Sequence, residues 1–142
     1  MRNAIDKVNH WLGARIPGLM LDADHVAALK RDDGTVVVID VMPHAGLAYL
    51  SSVVGPLPEE APEEALFAAL RLNQFGRPLG GCWLAWDDEL QVFVLCHNVQ
   101  LDHHDELALN HVLDNFLSAV DAARQVLTPP QITVNGSPLA TA

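Results

Sequence analysis

The chain has 142 residues, half of them hydrophobic, which at roughly 100–200 residues per domain describes one domain able to bury a sizeable core. Eight Lys and Arg stand against 18 Asp and Glu, a formal charge of -10, and that excludes the basic footprint which nucleic acid and anionic membranes require of a partner. The mean hydropathy of +0.18 is high for an acidic domain, and the excess reads as apolar surface to be covered by another chain.

The first segment, Asn3 to Gly13, has helical spacing. Ile5, Val8 and Leu12 share a face, Asp6, Lys7 and Asn9 lie off it, and Trp11 sits at its border. Asn3 caps the start and Gly13 is expected to end it. Asp6, Lys7 and Asn9 also interrupt the place where a secretory leader would carry its apolar stretch. The apolar runs, such as Ala65 to Leu70, fall far short of the roughly 18 residues of a membrane span. With two cysteines and no disulfide framework, the expected compartment is the cytoplasm.

After Pro17-Gly18 the period changes to two. Val26 to Lys30, Thr35 to Met42 and Leu47 to Val54 read as three antiparallel strands. Asp32-Asp33-Gly34 and Pro43-His44-Ala45-Gly46 are the turns between them. Gly55 to Pro62 is a loop. Pro62, Glu63 and Glu64 then open a helix expected to reach Phe75 and stop at Gly76. Leu66, Phe67, Leu70 and several alanines make it apolar on more than one side. Gly81 to Trp86 and Leu90 to His97 form a second hairpin around Asp87-Asp88-Glu89. Asp102 is expected to cap a long helix, His103 to Leu127, whose stripe is Leu109, Val112, Leu113, Phe116, Val120, Ala123 and Leu127. The expected architecture is an α+β sandwich in the order α-β-β-β-α-β-β-α, with a twisted antiparallel sheet. It divides into a domain over residues 1–127 and a loosely attached, uncharged tail over 128–142.

The strands do not alternate cleanly between apolar and polar. Val37, Ile39 and Val41 form one face of the second strand, and Val36 and Val38, interrupted by Asp40, form the other. In the fifth, Val92, Val94 and Cys96 form one face; Phe93 and Leu95, flanked by Gln91 and His97, form the other. The uninterrupted faces are assigned to the core. The mixed faces, with Val36, Val38, Phe93 and Leu95, are then partly exposed and mark an interaction surface unless another helix covers them. The apolar middle helix, joined by Trp83, is a candidate for a dimer interface.

No chemistry is legible. His103 and His104 are adjacent and point about 100° apart on a helix, so they form no ligand face of the i, i+4 kind. The cluster from Asp102 to Glu106 is explained by helix capping. Cys82 and Cys96 read as buried thiols. Gly-x-Ser-x-Gly is absent, and Gly80-Gly81 lacks the Lys-Ser/Thr of a phosphate loop. No catalytic residue, metal or cofactor is expected; a small metal-dependent hydrolase using the histidines is the remaining enzyme reading.

Leu70-Arg71-Leu72-Asn73, then Gly80-Gly81-Cys82-Trp83-Leu84-Ala85-Trp86-Asp87, then Leu90 to Cys96 and the long capped helix, resemble the class I chaperones of type III secretion, the Tir chaperone (CesT-like) family. Val8-Asn9-His10-Trp11-Leu12-Gly13 is similar to that family's opening helix. The resemblance spans roughly residues 1–127. It implies a cytoplasmic bacterial homodimer, not an enzyme, that binds the N-terminal region of a secreted effector and keeps it soluble and ready for secretion. Applied to this chain, it implies a dimer interface at Leu66, Phe67, Leu70 and Trp83. It implies effector binding at Trp11, Leu12, Val36, Val38, Phe93 and Leu95. The alternative is a regulatory or scaffolding protein of the same fold without a secreted client.

Overall fold

The structure is a computed structural model and describes residues 3–74, 77–127, 133–134 and 137–138. Helix α1 (Ala4–Arg15) starts as expected: Asn3 is extended and its side-chain oxygen accepts the Asp6 amide at 2.8 Å. Gly13 does not end it. The helix runs on to Arg15 and stops at the extended Ile16, and the left-handed turn falls at Gly18, with φ of 86°.

Strands β1 (Val26–Lys30), β2 (Val36–Met42) and β3 (Leu47–Pro56) form the expected antiparallel meander. The Asp33 carboxylate accepts the Thr35 amide at 2.9 Å and shapes the first turn, with Gly34 at φ 93°. Helix α2 (Pro62–Leu72) begins behind a left-handed Ala61. Phe75 and Gly76, where the sequence was expected to end this helix, lie outside the described residues. Strands β4 (Trp83–Asp87) and β5 (Val92–Gln100) follow. Their turn is longer than the expected Asp87-Asp88-Glu89: Asp87 stands opposite Val92, and Gln91 takes a left-handed φ of 59°.

Helix α3 (Glu106–Leu127) starts later than expected, because β5 runs to Gln100 and a short 3-10 turn at Leu101–His103 intervenes. Its cap is therefore Asp105, whose carboxylate accepts the Ala108 amide at 2.8 Å, and not Asp102. Beyond it, β6 (Thr133–Val134) and β7 (Ser137–Pro138) pair antiparallel. Apart from that backbone, the tail expected to be loose lies outside the described residues.

The main sheet has the order β1-β2-β3-β5-β4, antiparallel throughout. α2 carries the chain from β3 to the far edge, so that β5 returns beside β3. The helices pack on one face of this sheet. Val8 and Leu12 of α1, Ile39 of β2, Leu95 of β5 and Phe116 and Val120 of α3 are buried in one core. Trp11 Nε1 and Arg15 Nη1 both donate to Asn110 Oδ1, at 2.8 and 2.7 Å, and clamp α1 to α3. His10 Nδ1 and the Glu106 carboxylate meet in a hydrogen bond at the same junction. The result is a two-layer α+β domain with the expected element order.

Candidate partner-binding surfaces

Two apolar surfaces are left without cover by the described residues. The first is the outer side of α2. The helix approaches the core through its small residues, Ala65 and Ala69, both buried. This leaves Leu66, Phe67 and Leu70 on its other side, 45%, 60% and 66% exposed. A groove of about 350 Å3 runs between α2 and β4, lined by Leu66, Leu70, Asn73, Leu84 and Trp86 among others. Trp86 closes it with an edge-on contact to Phe93, ring centroids 5.2 Å apart.

Asn73, at the end of α2, fixes this arrangement. Its amide oxygen accepts the Leu84 N–H at 2.7 Å and its amide nitrogen donates to the Leu84 carbonyl at 3.1 Å. The side chain thus takes the place of a neighbouring strand at the β4 edge. An unpaired edge is an invitation to further pairing, and here it is occupied at Leu84. The other edge, β1, is closed only at its start, where Asp22 accepts the Val26 N–H through its carboxylate and donates its own N–H to the Val26 carbonyl.

The second surface is the outer face of the sheet. Val36, Val53 and Trp83 are exposed there, and Val38 and Val94 are half-buried. It contains a wedge. The β2–β3 ladder ends at the Val38–Ser51 pair, and β3 shifts register between Val53 and Gly55. Where the strands part, the Ser52 hydroxyl donates to the Val36 carbonyl at 2.7 Å. Arg124 reaches in from α3 and donates to Thr35 Oγ1 at 2.6 Å, to the Val53 carbonyl at 2.9 Å and to the Val54 carbonyl at 3.2 Å.

Of the residues expected on an effector-binding face, Val36 and Val38 lie on this outer face. The other four do not. Trp11 and Leu12 are 3% and 0% exposed, and Phe93 and Leu95 are 3% and 0% exposed. The β5 assignment is reversed: Phe93 and Leu95 face the helices, and Val92, Val94 and Cys96 face outward. The polar flanks that argued otherwise are not interruptions. Gln91 belongs to the turn, and His97 is itself half-buried. With both sets apolar, the bulkier one fills the core. Trp11 is buried because its indole N–H finds Asn110. Among the expected dimer residues, Leu66, Phe67 and Leu70 share one surface. Trp83, by alternation with the buried Leu84, projects to the outer face, and Trp86 takes the place beside α2.

Among the described residues the titratable groups do not assemble a reactive centre. Burial pushes the Cys82 thiol up to about 11, with the neighbouring Cys96 adding to the effect, and burial raises Cys96 as well. Neither is a thiolate near neutral pH. Cys96 stands opposite Trp83 on the outer face while Cys82 is wholly buried, so the two are free and do not share a face. His97 is held below its ordinary value by burial and, more weakly, by His104, against a raising hydrogen bond at Gly81; its Nδ1 is buried without a partner. Arg31 is held protonated by Asp121 and Asp33, and Asp33 is held well below the usual carboxylate range by Arg31 and by Thr35. That cluster staples the β1–β2 turn to α3. No helix of the described residues is long and apolar enough to cross a membrane.

The described residues thus form a two-layer domain with one sheet edge engaged at Leu84, an apolar helix side and an uncovered sheet face. The model of the Tir chaperone protein (CesT) family matches residues 8–124, and the chain belongs to that family. No curated protein matches it by sequence. Solved structures do match in fold. A chain of the ExsC–ExsE complex superposes with a TM-score of 0.72 at 20% identity, covering 89% of this chain and 97% of that one. The heterodimeric ExoU–SpcU complex from the type III secretion system of Pseudomonas aeruginosa gives 0.67 at 22% identity, over 87% of this chain and 99% of the other. The Yersinia pestis type III secretion chaperone SycH, in complex with a fragment of YscM2, gives 0.65 at 18% identity, over 87% and 98%.

Proposed function

We propose that this chain is a cytoplasmic chaperone of a bacterial type III secretion system. It works as a homodimer and binds the N-terminal segment of one or more secreted effectors, keeping that segment soluble and secretion-competent; it catalyses no reaction. The observation that carries this reading is the family match over residues 8–124. Its physical support is the pair of uncovered apolar surfaces in a chain of net charge -10. Leu66, Phe67 and Leu70 serve the dimer, since a helix side this apolar is unfavourable in water and suits a self-complementary contact. Val36 and Val38, with Val53 and Val94 beside them, serve the client. An extended client segment is suited to such a face because it places alternate side chains on an apolar sheet surface.

The test is co-expression with the N-terminal segment of a candidate effector, followed by light scattering of the purified complex. Two copies of this chain holding one effector segment support the proposal. A dimer that ignores every secreted protein of its own genome refutes it in favour of a regulatory or scaffolding role.

A further inference from the structure

The outer face of the sheet carries a carboxylate among its apolar side chains. Along β2 the residues Val36, Val38, Asp40 and Met42 lie on the outer face, and Val37, Ile39 and Val41 between them are buried. Asp40 is half-buried. Its direct partners on the neighbouring strands are Val26 of β1 and Tyr49 of β3, and Tyr49 in turn stands opposite Asn98 of β5. Cross-strand neighbours of this kind have Cβ atoms about 5 Å apart, so carboxylate, phenol and amide make a polar band across the sheet. On one side of the band lie Ala28, Val38, Ser51, Cys96 and Trp83; on the other lie Met42, Leu47 and Gln100.

Among the described residues no hydrogen bond or ion pair reaches the Asp40 carboxylate or the Tyr49 hydroxyl. The other charges near this face are placed elsewhere. Asp87 accepts the Leu90 amide at 2.9 Å. Arg124 is held by Thr35, Val53 and Val54. Lys30 stands opposite Val36, and four residues, about 13 Å of strand, separate Val36 from Asp40.

In water the Asp40 carboxylate is solvated. Beneath a bound chain it is not, and a carboxylate removed from water without a partner is strongly unfavourable. A segment that covers Val38 also covers Asp40, two residues and about 7 Å away, and so has to bring a donor. Arginine suits this place best, because its guanidinium donates two parallel hydrogen bonds to a carboxylate and stacks on an aromatic ring such as the neighbouring Tyr49. An extended segment lying along β2 has the same two-residue repeat as the strand beneath it. Its side chains at i and i+2 then meet Val36 and Val38, and the one at i+4 meets Asp40.

We propose that Asp40, with Tyr49 beside it, determines the specificity of the outer face: it selects client segments of the pattern apolar-x-apolar-x-basic, read in either chain direction, with Arg preferred to Lys. This rests on the function proposed above, in which the outer face receives the client. The net charge of -10 favours the same sign of partner.

Random fifteen-residue peptides displayed on phage and selected on the immobilised full chain test the pattern. Peptides whose binding is lost on Val38→Asn, which removes an apolar contact without adding charge, define the outer-face set. In that set an Arg or Lys stands two positions from the apolar pair. Made as synthetic peptides and titrated by calorimetry, its members bind about tenfold more weakly when the basic residue is replaced by Gln. On Asp40→Asn, which keeps the size of the side chain, the basic and Gln peptides bind alike. Selection on Asp40→Lys enriches Asp or Glu at the same position. Melts read beside the titrations show both Asp40 variants folded. An outer-face set without the basic position, a Gln penalty undiminished on Asp40→Asn, or Arg still enriched on Asp40→Lys overturns the proposal and leaves the outer face as the client surface. If no selected peptide depends on Val38, the proposal and the outer-face reading of the function fall together.

Discussion

Replacing Asn73 by alanine removes both hydrogen bonds to Leu84 and nothing else of consequence. Leu84 is buried, and its N–H and carbonyl face the α2–β4 junction. Leaving a buried backbone donor and acceptor unpaired costs about 1–3 kcal/mol each when water is excluded, and the net worth of a satisfied pair is about 1 kcal/mol per bond. At an edge strand water relieves part of this, so about 2 kcal/mol is expected in total. For a chain of this length that lowers Tm by roughly 4–8 °C. Asn73→Asp separates geometry from chemistry. The carboxylate still accepts the Leu84 N–H but sets a negative oxygen where the amide donated to the Leu84 carbonyl, 3.1 Å away. The charged form is therefore disfavoured in the folded state, and its folded pKa rises above the unfolded value near 3.9. Stability relative to the native residue is then fully present below that unfolded value and is lost as pH rises through the folded pKa. Thermal melts at one fixed protein concentration, at pH 7 and near pH 4, measure both effects. Melting within a degree of the native chain for Asn73→Ala, or an Asn73→Asp deficit that does not shrink in acid, refutes the edge clamp.

Leu70→Asp gives a folded chain of half the native mass by light scattering, because it buries an unpaired charge in the proposed dimer contact. Trp83→Ser, on the outer face, leaves the mass unchanged; the reverse pattern would move the interface to the sheet. Val38→Asp keeps fold and mass but weakens effector binding by about tenfold or more, read by titration calorimetry. Leu95→Ala lowers stability by about 2–5 kcal/mol in urea melts, as expected of a core leucine and not of a surface contact. His97 is depressed below 6.5 mainly by burial, so its contribution is present above 6.5 and is lost as pH falls through the folded pKa. His97→Gln flattens that acid-side loss in melts taken across the range, and an unaltered pH profile would place the loss elsewhere.

Turn chemistry and helical spacing were enough for the element order, the β1–β2–β3 meander and the Asn3 cap. They were not enough for β5, because alternation tells the two faces apart only when one of them is polar. Here Phe93 and Leu95 stand against Val92, Val94 and Cys96, and contact with α3, a tertiary matter, decides. Asp102 and Asp105 are equally good caps by composition. The choice fell to Asp105 because β5 continues through Asn98 and Gln100, which carry no strand signal of their own. Leu70-Arg71-Leu72-Asn73 stood out as a family marker, but its reason, an amide serving as a surrogate strand, is visible only once β4 lies beside α2. An uncharged Pro- and Thr-rich tail suggests no structure, yet Asn135-Gly136 is a hairpin signal and the backbone on either side of it pairs.

The two exposed surfaces lie on different elements, the outer side of α2 and the outer face of the sheet, and the placement of Asn73 bears on why they stay distinct. If the β4 edge were open, a second copy or an extended client could pair with it, and the same strand would serve both partners. With Leu84 engaged by Asn73, pairing that runs through Leu84 requires displacing the clamp. In the proposed dimer the contact on that side uses side chains of α2, where Leu66, Phe67 and Leu70 are exposed. The open positions for main-chain pairing lie at the opposite edge, along β1 beyond Val26. Beside that edge a groove of about 470 Å3 is lined by Arg15, Lys30, Arg31, Leu113 and Leu117. On the function proposed above, an effector segment crossing the outer face meets Val36 and Val38 without touching α2, so the proposed dimer and client contacts do not compete for one surface.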